Sequence, residues 1–222
     1  IEEIARVHGY DRIAPRQGGQ TTRLGESPAA QVGAGALRSV LVQRGYQEAM
    51  TYSFVDRERD RLLAGGREGV PLVNPLSTDL AVMRQSLWPG LVHALGNNLA
   101  RQQRRVRLFE AGVRFIPDST GMTEESVIAG VACGTVLPEQ WGEPGRATDF
   151  HDVKADIEAL LALVGVPGEF DWVADVHPAL HPGRSARLRR RGEHVGWLGS
   201  LHPRLVKPFG LDEAALLFEL RL

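Results

Sequence analysis

The sequence predicts an α+β fold, with a mostly antiparallel sheet flanked by helices. Helical and strand patterns are interleaved along the chain without strict β-α-β alternation, which is typical of this class. Residues 184–191 and 194–201 form an alternating pair around Gly192 and Glu193, which indicates an antiparallel hairpin. The chain has 222 residues, of which 43% are hydrophobic and 24% charged, so it is long and apolar enough to bury a core.

The composition excludes several classes of protein. Acidic and basic residues number 27 and 26, and the net charge of -1 argues against binding nucleic acid, DNA included, through charge alone. No stretch of about 18 uncharged apolar residues predicts a membrane span, and the first residues have no signal-peptide pattern. The single cysteine, Cys133, rules out an internal disulfide framework and a cysteine zinc site.

The first residues predict a helix that belongs to a separate unit. Ile1, Ile4, Ala5 and His8 share one helical face, and Gly9 ends the pattern. Residues 11–28 are rich in Pro, Gly, Gln and Thr and have no periodicity. We therefore expect residues 1–16 to be the helical end of a preceding domain, 17–26 a linker and 27–222 one core domain. Because the chain starts without Met and inside a helical pattern, we expect it to be a piece of a longer protein.

The helices of the core are predicted from apolar stripes and caps. Ser27 and Pro28 indicate a helix start, an apolar stripe runs from Val32 to Leu41, and Gly45 provides the stop. Asp56 and Asp152 are predicted N-caps, and Pro89 lies in the first turn of a third helix. The predicted core helices are 27–44, 57–63, 87–100 and 153–164.

The strands are predicted from alternating or continuous apolar residues. In the clearest strand, 106–115, Val106, Leu108 and Glu110 share one face and Phe109 the other, and Gly112 is expected to form a bulge. The run 127–133 is almost wholly apolar and is predicted to be a central strand. The other predicted strands and extended segments are 49–54, 70–74, 81–84, 170–173, 184–191, 194–201 and 216–220.

Few residues form a recognisable chemical site. No phosphate loop or Gly-x-Ser-x-Gly elbow occurs, and Gly33 and Gly35 fit tolerated helix glycines better than a nucleotide fingerprint. His177 and His181 have a ligand spacing only in a helix, which the following prolines forbid. Glu2 and Glu3 could hold Mg²⁺, although adjacent helical residues diverge by about 100°.

Two groups of arginines could contact RNA phosphates, or could pair with neighbouring carboxylates on a solvated sheet face. Neither group has interleaved aromatic residues that would stack on bases. The first group is Arg101, Arg104, Arg105 and Arg107, and the second is Arg184, Arg187, Arg189, Arg190 and Arg191.

Six strings, in order along the whole chain, resemble the beta subunit of bacterial phenylalanine–tRNA ligase. They are IEEIARVHGYDRI at 1–13, NPLSTDLAVMRQSLWPGL at 74–91, RLFEAG at 107–112, FHDVK at 150–154, LHPGRSA at 180–186 and GWLGSLHP at 196–203. The resemblance implies a class II aminoacyl-tRNA synthetase fold. It places the helix after Ser27 at the first class II motif and residues 108–110 on the strand of the second.

The resemblance also implies a function. The arginine of the second motif and the third motif, Gly-x-Gly-x-Gly-x-x-Arg, have no counterpart, so this core is expected not to activate phenylalanine with ATP. Catalysis is expected on the alpha subunit, within a cytoplasmic heterotetramer of two alpha and two beta chains that binds tRNA. The stripe Val32–Leu41 would join a helix bundle between subunits.

The resemblance further implies that Glu2 and Glu3 hold Mg²⁺ at the contact with alpha. Two acidic ligands expected just upstream are missing from this sequence, so we expect Mg²⁺ to bind weakly to this chain alone. The alternatives are an RNA-binding module that uses the arginine-rich strands and an enzyme that activates an amino acid by itself.

Overall fold

The computed structural model describes residues 1–14, 32–119 and 121–222. The chain divides into two compact units, Ile1–Gln31 and Val32–Leu222. In the first unit, helix α1 (Glu2–His8) ends at Gly9, whose φ of 94° favours glycine, and a 3-10 turn follows at Tyr10–Arg12. The predicted boundaries at 16 and 26 lie outside the described residues and stay predictions.

The second unit is built on one large sheet. Its strands are β1 (Gln47–Glu48), β4 (Val106–Asp118), β5 (Gly121–Cys133), β6 (Phe170–Ala174), β7 (Leu180–Arg190), β8 (Glu193–Leu201) and β9 (Leu216–Arg221), and a small second sheet pairs β2 (Phe54–Val55) with β3 (Val82–Met83). The order in the large sheet is β1-β4-β5-β9-β8-β7-β6. All its pairs are antiparallel except β1 with β4, which confirms the predicted mostly antiparallel sheet.

Helices cover both faces of the large sheet. They are α2 (Ala34–Gln43), α3 (Arg57–Leu63), α4 (Trp88–Ala100), α5 (Phe150–Ala162) and the short α6 (Pro203–Val206). On one side, here called the α4 face, Leu91 and Leu95 of α4 pack in a core with Leu108. On the other side, the α5 face, helices α2 and α5 pack over Phe109 and Phe218. The predicted alternation of Leu108 and Phe109 is therefore confirmed.

Helix α2 begins later than predicted and packs on the sheet of its own domain. Gly33 is the N-cap and the helix begins at Ala34, whereas the start predicted at Ser27 and Pro28 lies outside the described residues. Leu37 and Leu41 are buried in the core of the α5 face. Ala36 and Val42 of the same helix are exposed, so the expectation that this stripe joins a bundle between subunits stays a prediction.

Two predicted strands and one predicted bulge are wrong for related reasons. Residues 49–53 are not a strand: Ala49 N–H donates to the Phe109 carbonyl and the Ser53 carbonyl accepts from Arg84 N–H, so the segment crosses between the two sheets. Residues 70–74 form one bridge, Pro71 with Val82. Strand β4 pairs with β5 without interruption through Gly112, so no bulge forms there.

The remaining caps and turns follow from local chemistry. Asp56 caps α3 by accepting from Arg59 N–H, as predicted. Helix α5 is capped by Asp149 instead of Asp152: the two residues form a reciprocal capping box in which Asp152 accepts from Asp149 N–H. Arg191 and Gly192, both at positive φ, make the two-residue turn between β7 and β8.

Candidate functional site

The α4 face has a group of buried charges next to its apolar core. Glu110 on β4 is the centre of the first network. Its Oε1 atom lies 2.8 Å from Arg84 Nη1, and its Oε2 atom accepts a 2.7 Å bond from Thr51 Oγ1. Arg84 also donates to Thr51 Oγ1 and, through Nε, to the Val113 carbonyl. Both charged side chains are almost fully buried, at 4% and 6% exposure.

The Arg84 side chain of this network lies where a side chain at position 112 would be. A Cβ atom at Gly112 would lie 2.7 Å from Arg84 Nη2. Gly90 on α4 has a similar role, since a Cβ there would lie 2.2 Å from Thr51 Oγ1. The two glycines therefore leave the space in which the Arg84 and Thr51 side chains reach Glu110.

Glu219 on β9 is the centre of a second network on the same face. Its Oε2 atom accepts from Ser86 Oγ and Leu87 N–H, both at 2.8 Å, and its Oε1 atom lies 2.6 Å from Arg114 Nη1. Arg114 also pairs with Glu125 on β5. Burial acts to lower the pKa of Arg114, but the charges of Glu219 and Glu125 outweigh it and raise that pKa. The guanidinium is thus held between two carboxylates.

A third buried network lies on the α5 face. Arg107 Nη2 lies 2.7 Å from Asp156 Oδ2, which also accepts a 3.0 Å bond from Tyr46 Oη. Burial raises the pKa of Asp156, against the opposing charge of Arg107, and burial likewise raises the pKa of Tyr46. Arg107 therefore belongs to the interior, and not to a basic surface as its neighbours in the sequence indicated.

The arginine-rich strand β7 faces carboxylates. Arg187 pairs with Asp175 and Arg189 with Asp171, both at 2.5 Å, and Glu169 pairs with Arg190 and Arg191. Four of the five arginines of this group are therefore neutralised by neighbours. Of the first group, Arg105 donates to the carbonyls of Thr135 and Val136, whereas Arg101 and Arg104 are exposed.

The candidate metal ligands do not converge within the described residues. His177 packs edge-on against Trp88 and Trp197, its Nδ1 atom accepts from Ala179 N–H, and burial lowers its pKa to about 4. His181 Nδ1 accepts from Gly183 N–H. Across residues 1–14, 32–119 and 121–222, no group of three or more His, Cys, Asp or Glu side chains could hold a metal ion.

Glu2 and Glu3 lie in the first turn of α1 and are exposed. The Glu3 carboxylate pairs with Arg6 at 2.7 Å. The two residues therefore offer at most part of a Mg²⁺ coordination shell, and their metal role stays a prediction.

Comparison with known proteins identifies the family. The family model for the phenylalanyl tRNA synthetase beta chain CLM domain matches residues 18–222. The chain belongs to the phenylalanyl-tRNA synthetase beta chain family. The phenylalanine–tRNA ligase beta subunit of Pseudomonas syringae pv. syringae is 50% identical over 224 residues, and that of Nitrosococcus oceani is 50% identical over 230. Each alignment covers the whole of this chain and 28% of the relative, so the chain spans a little over a quarter of their length.

Solved structures identify the class II synthetase fold. Two structures of pyrrolysyl-tRNA synthetase from Desulfitobacterium hafniense match with TM-scores of 0.60 and 0.63, at 17% and 15% identity. Each match covers 84% of this chain and 64% of the other.

Among the described residues, no helix is long and apolar enough to cross a membrane.

Sequence reasoning missed the residues that bind Glu110 and Glu219, namely Arg84, Thr51, Arg114 and Ser86. A usable signal existed in both cases. Glu219 interrupts the apolar run 215–220, and Arg84 follows the apolar stretch 80–83. A lone charge within an apolar run indicates a buried ion with a buried partner, because an unpaired buried charge is too costly to keep.

Proposed function

We propose that this chain is the core of a phenylalanine–tRNA ligase beta subunit that supports ATP-dependent attachment of phenylalanine to tRNA by the alpha subunit, and that it catalyses no step itself. The pairing of the buried arginines on the α4 face carries this proposal. A synthetase must hold ATP phosphates with positive charges. Arg84 is bonded to Glu110 and Arg114 to Glu219 and Glu125, so neither guanidinium is free for that purpose.

Amino-acid-dependent ATP–pyrophosphate exchange tests the catalytic part of the proposal. We expect no exchange by this chain alone and exchange when the alpha subunit is supplied. Exchange by the chain alone above a no-enzyme blank would overturn the proposal. Gly112→Ala, which would displace Arg84 from Glu110, provides a check: we expect it to destabilise the fold without producing exchange activity.

We propose that two exposed apolar segments form the contact with the alpha subunit. Met50 and Tyr52 are 94% and 72% exposed, whereas Thr51 between them is bonded to Glu110, so the segment is held with both large side chains outward. Val73 and Leu76, on the connection between Pro71 and β3, are also exposed. Large apolar side chains held in solvent are typical of a surface that a partner covers.

Co-purification with the alpha subunit tests this contact. We expect a mass of two alpha and two beta chains by light scattering for the unaltered protein, and loss of that species for Met50→Glu combined with Tyr52→Glu. Val176→Glu, an exposed valine elsewhere, is the matched control and should assemble normally. Equal assembly of both variants would contradict the assignment, provided their thermal stabilities match.

We further propose that Glu2 and Glu3 contribute to a Mg²⁺ site at the contact with the alpha subunit. Mg²⁺ is usually held by one or two carboxylates with other oxygen ligands, so two glutamates on one helical turn fit part of such a site. Mg²⁺ titration of the chain alone should show weak binding, and tight binding would contradict the proposal.

The complex is expected to be cytoplasmic and to contact tRNA, which Arg101 and Arg104 could assist as exposed cations.

A further inference from the structure

A cleft on the α5 face is separate from the charged networks described above. Its volume is about 710 Å³, within the range of roughly 300–1,000 Å³ typical of small-molecule sites. The first turn of α5 forms one wall, and strands β6, β7 and β8 with the start of β9 form the floor. None of Arg84, Glu110, Arg114 or Glu219 lines it.

Small side chains on the sheet create this space. Ala174 on β6 pairs with Ala186 on β7, and both line the cleft. Two positions further along the same strands, the paired residues are Trp172 and Leu188, which fill the equivalent volume. The cleft therefore opens where the sheet carries alanines on this face, next to the level that carries Trp172 and Leu188.

The walls of the cleft are aromatic. Phe150 and His151 on α5 lie edge to face, with ring centroids 5.6 Å apart, and both line the cleft. Trp172 lines it from β6, and Lys154 Nζ lies 5.8 Å from the centroid of that ring. Aromatic surfaces above an alanine floor favour a flat apolar ring.

Three polar side chains in the cleft have no hydrogen-bond or ion-pair partner among the described residues: Thr148, Arg184 and Ser200. Ser200 is only 7% exposed, and the Oγ1 atom of Thr148 is buried. The Thr148 hydroxyl is thus buried without a partner, which is unfavourable because water is lost without a replacement bond, whereas the Ser200 hydroxyl is not among the buried unpaired atoms. Arg184 differs from its neighbours on β7, whose guanidinium groups are paired with carboxylates.

The charges around the cleft favour a single negative charge on the ligand. Asp149 is its one lining carboxylate in the described ranges, and its Oδ1 atom accepts from His151 and Asp152 N–H groups. Arg146 pairs with Asp152, and Lys154 pairs with Glu158, so those cations are already neutralised. Among the described residues that line the cleft, Arg184 is an arginine without a carboxylate partner, and a planar guanidinium matches a carboxylate in a bidentate contact.

We propose that this cleft binds a small carboxylic acid that carries an aromatic ring. The ring lies between the aromatic wall and the alanine floor, the carboxylate pairs with Arg184, and the Ser200 hydroxyl bonds to a polar atom of the ligand. The site is independent of aminoacylation, and its test does not use that activity.

Ligand-observed NMR with the whole chain tests the site, using indole-3-acetate as the probe. We expect saturation transfer from the unaltered protein to the indole ring of indole-3-acetate. Two changes should each weaken binding roughly tenfold, because each removes the charge-assisted contact. The first is replacing the probe by the neutral indole-3-acetamide, and the second is testing indole-3-acetate on Arg184→Gln. Ala174→Leu, at an exposed position that lines the cleft, should remove binding by filling the space. Arg189→Gln on the same strand is the control and should bind normally.

The absence of transfer from the unaltered chain would overturn the proposal. It would also be overturned if Arg184→Gln and Ala174→Leu bound the probe as Arg189→Gln does, since binding would then lie elsewhere. A far-ultraviolet circular dichroism spectrum for each variant establishes that the fold is intact before binding is compared.

Discussion

Replacing the buried Arg84 by Met should be among the most destabilising single substitutions in this protein. The Arg84 side chain donates to Glu110, to Thr51 Oγ1 and to the Val113 carbonyl, and it is 4% exposed. Methionine fills a similar length but leaves the Glu110 carboxylate buried with only the Thr51 hydroxyl as a partner. Removal of one member of a buried ion pair costs about 3–5 kcal/mol, because the remaining charge is uncompensated.

The expected change is large enough to measure by thermal and urea unfolding. For a chain of this length, each kcal/mol shifts Tm by about 2–4 °C, so Arg84→Met should lower Tm by about 6–20 °C. Arg57→Met is the matched control. Its partner Glu68 lies 3.5 Å away and both side chains are more than half exposed, so the change should cost no more than about 0.5 kcal/mol.

A double replacement separates the cost of the orphan charge from the loss of packing. Arg84→Met combined with Glu110→Leu removes both charges and should be more stable than Arg84→Met alone, since apolar replacements of buried ion pairs are often tolerated. The reasoning would be refuted if Arg84→Met cost no more than Arg57→Met. It would also be refuted if the double variant were simply the sum of its single changes.

Three further predictions follow from burial. Leu41→Ala should lower the free energy of unfolding, measured in urea, by about 2–5 kcal/mol because Leu41 is fully buried. Val42→Ala, at 56% exposure, should be near neutral. Equal effects of the two substitutions would contradict the assignment of Leu41 to the buried face of α2. Since burial lowers the pKa of His177 to about 4 from an ordinary 6.5, the unfolded chain takes up a proton that the folded chain refuses. Stability should therefore fall as pH drops from about 6.5 to 4, by about 3 kcal/mol, and His177→Phe should remove that part of the pH dependence measured by urea titration; an unchanged slope would contradict it. Burial, with the nearby Glu213 charge, raises the pKa of Cys133 to about 12, so iodoacetamide at pH 8 should alkylate it only after unfolding; rapid labelling of the native chain, followed by mass spectrometry, would contradict this.

Local patterns predicted the helices and long strands well, and failed where a segment's conformation depends on distant partners. The 49–54 segment alternates like a strand, but its inward Thr51 is held by Glu110, 59 positions away, and it crosses between sheets instead of joining one. Gly112 was predicted to form a bulge because glycine inside a strand often does. In the folded chain, the Arg84 guanidinium occupies the space that a side chain at position 112 would need, and no local pattern encodes this contact.

The proposed contact with the alpha subunit illustrates the same limit. An apolar stripe on α2 is the same in sequence whether it packs on its own sheet or on a partner. The structure places Leu37 and Leu41 in the core and leaves Met50 and Tyr52 in solvent, although all four are apolar. Burial is a property of the folded chain, so the choice between core and interface needed the tertiary structure.

The sequence by itself determined the class of fold, the family, the absence of a disulfide framework and the positions of most elements, because periodicity, caps and family strings are local along the chain. Only the tertiary structure decided which charges are neutralised and which remain free. The Glu219 carboxylate accepts a hydrogen bond from Ser86, 133 positions away, and Arg107 donates to Asp156, 49 positions away. These pairings arise from sheet order and helix packing, and they give Arg84 and Arg114 carboxylate partners, whereas Arg184 has none among the described residues.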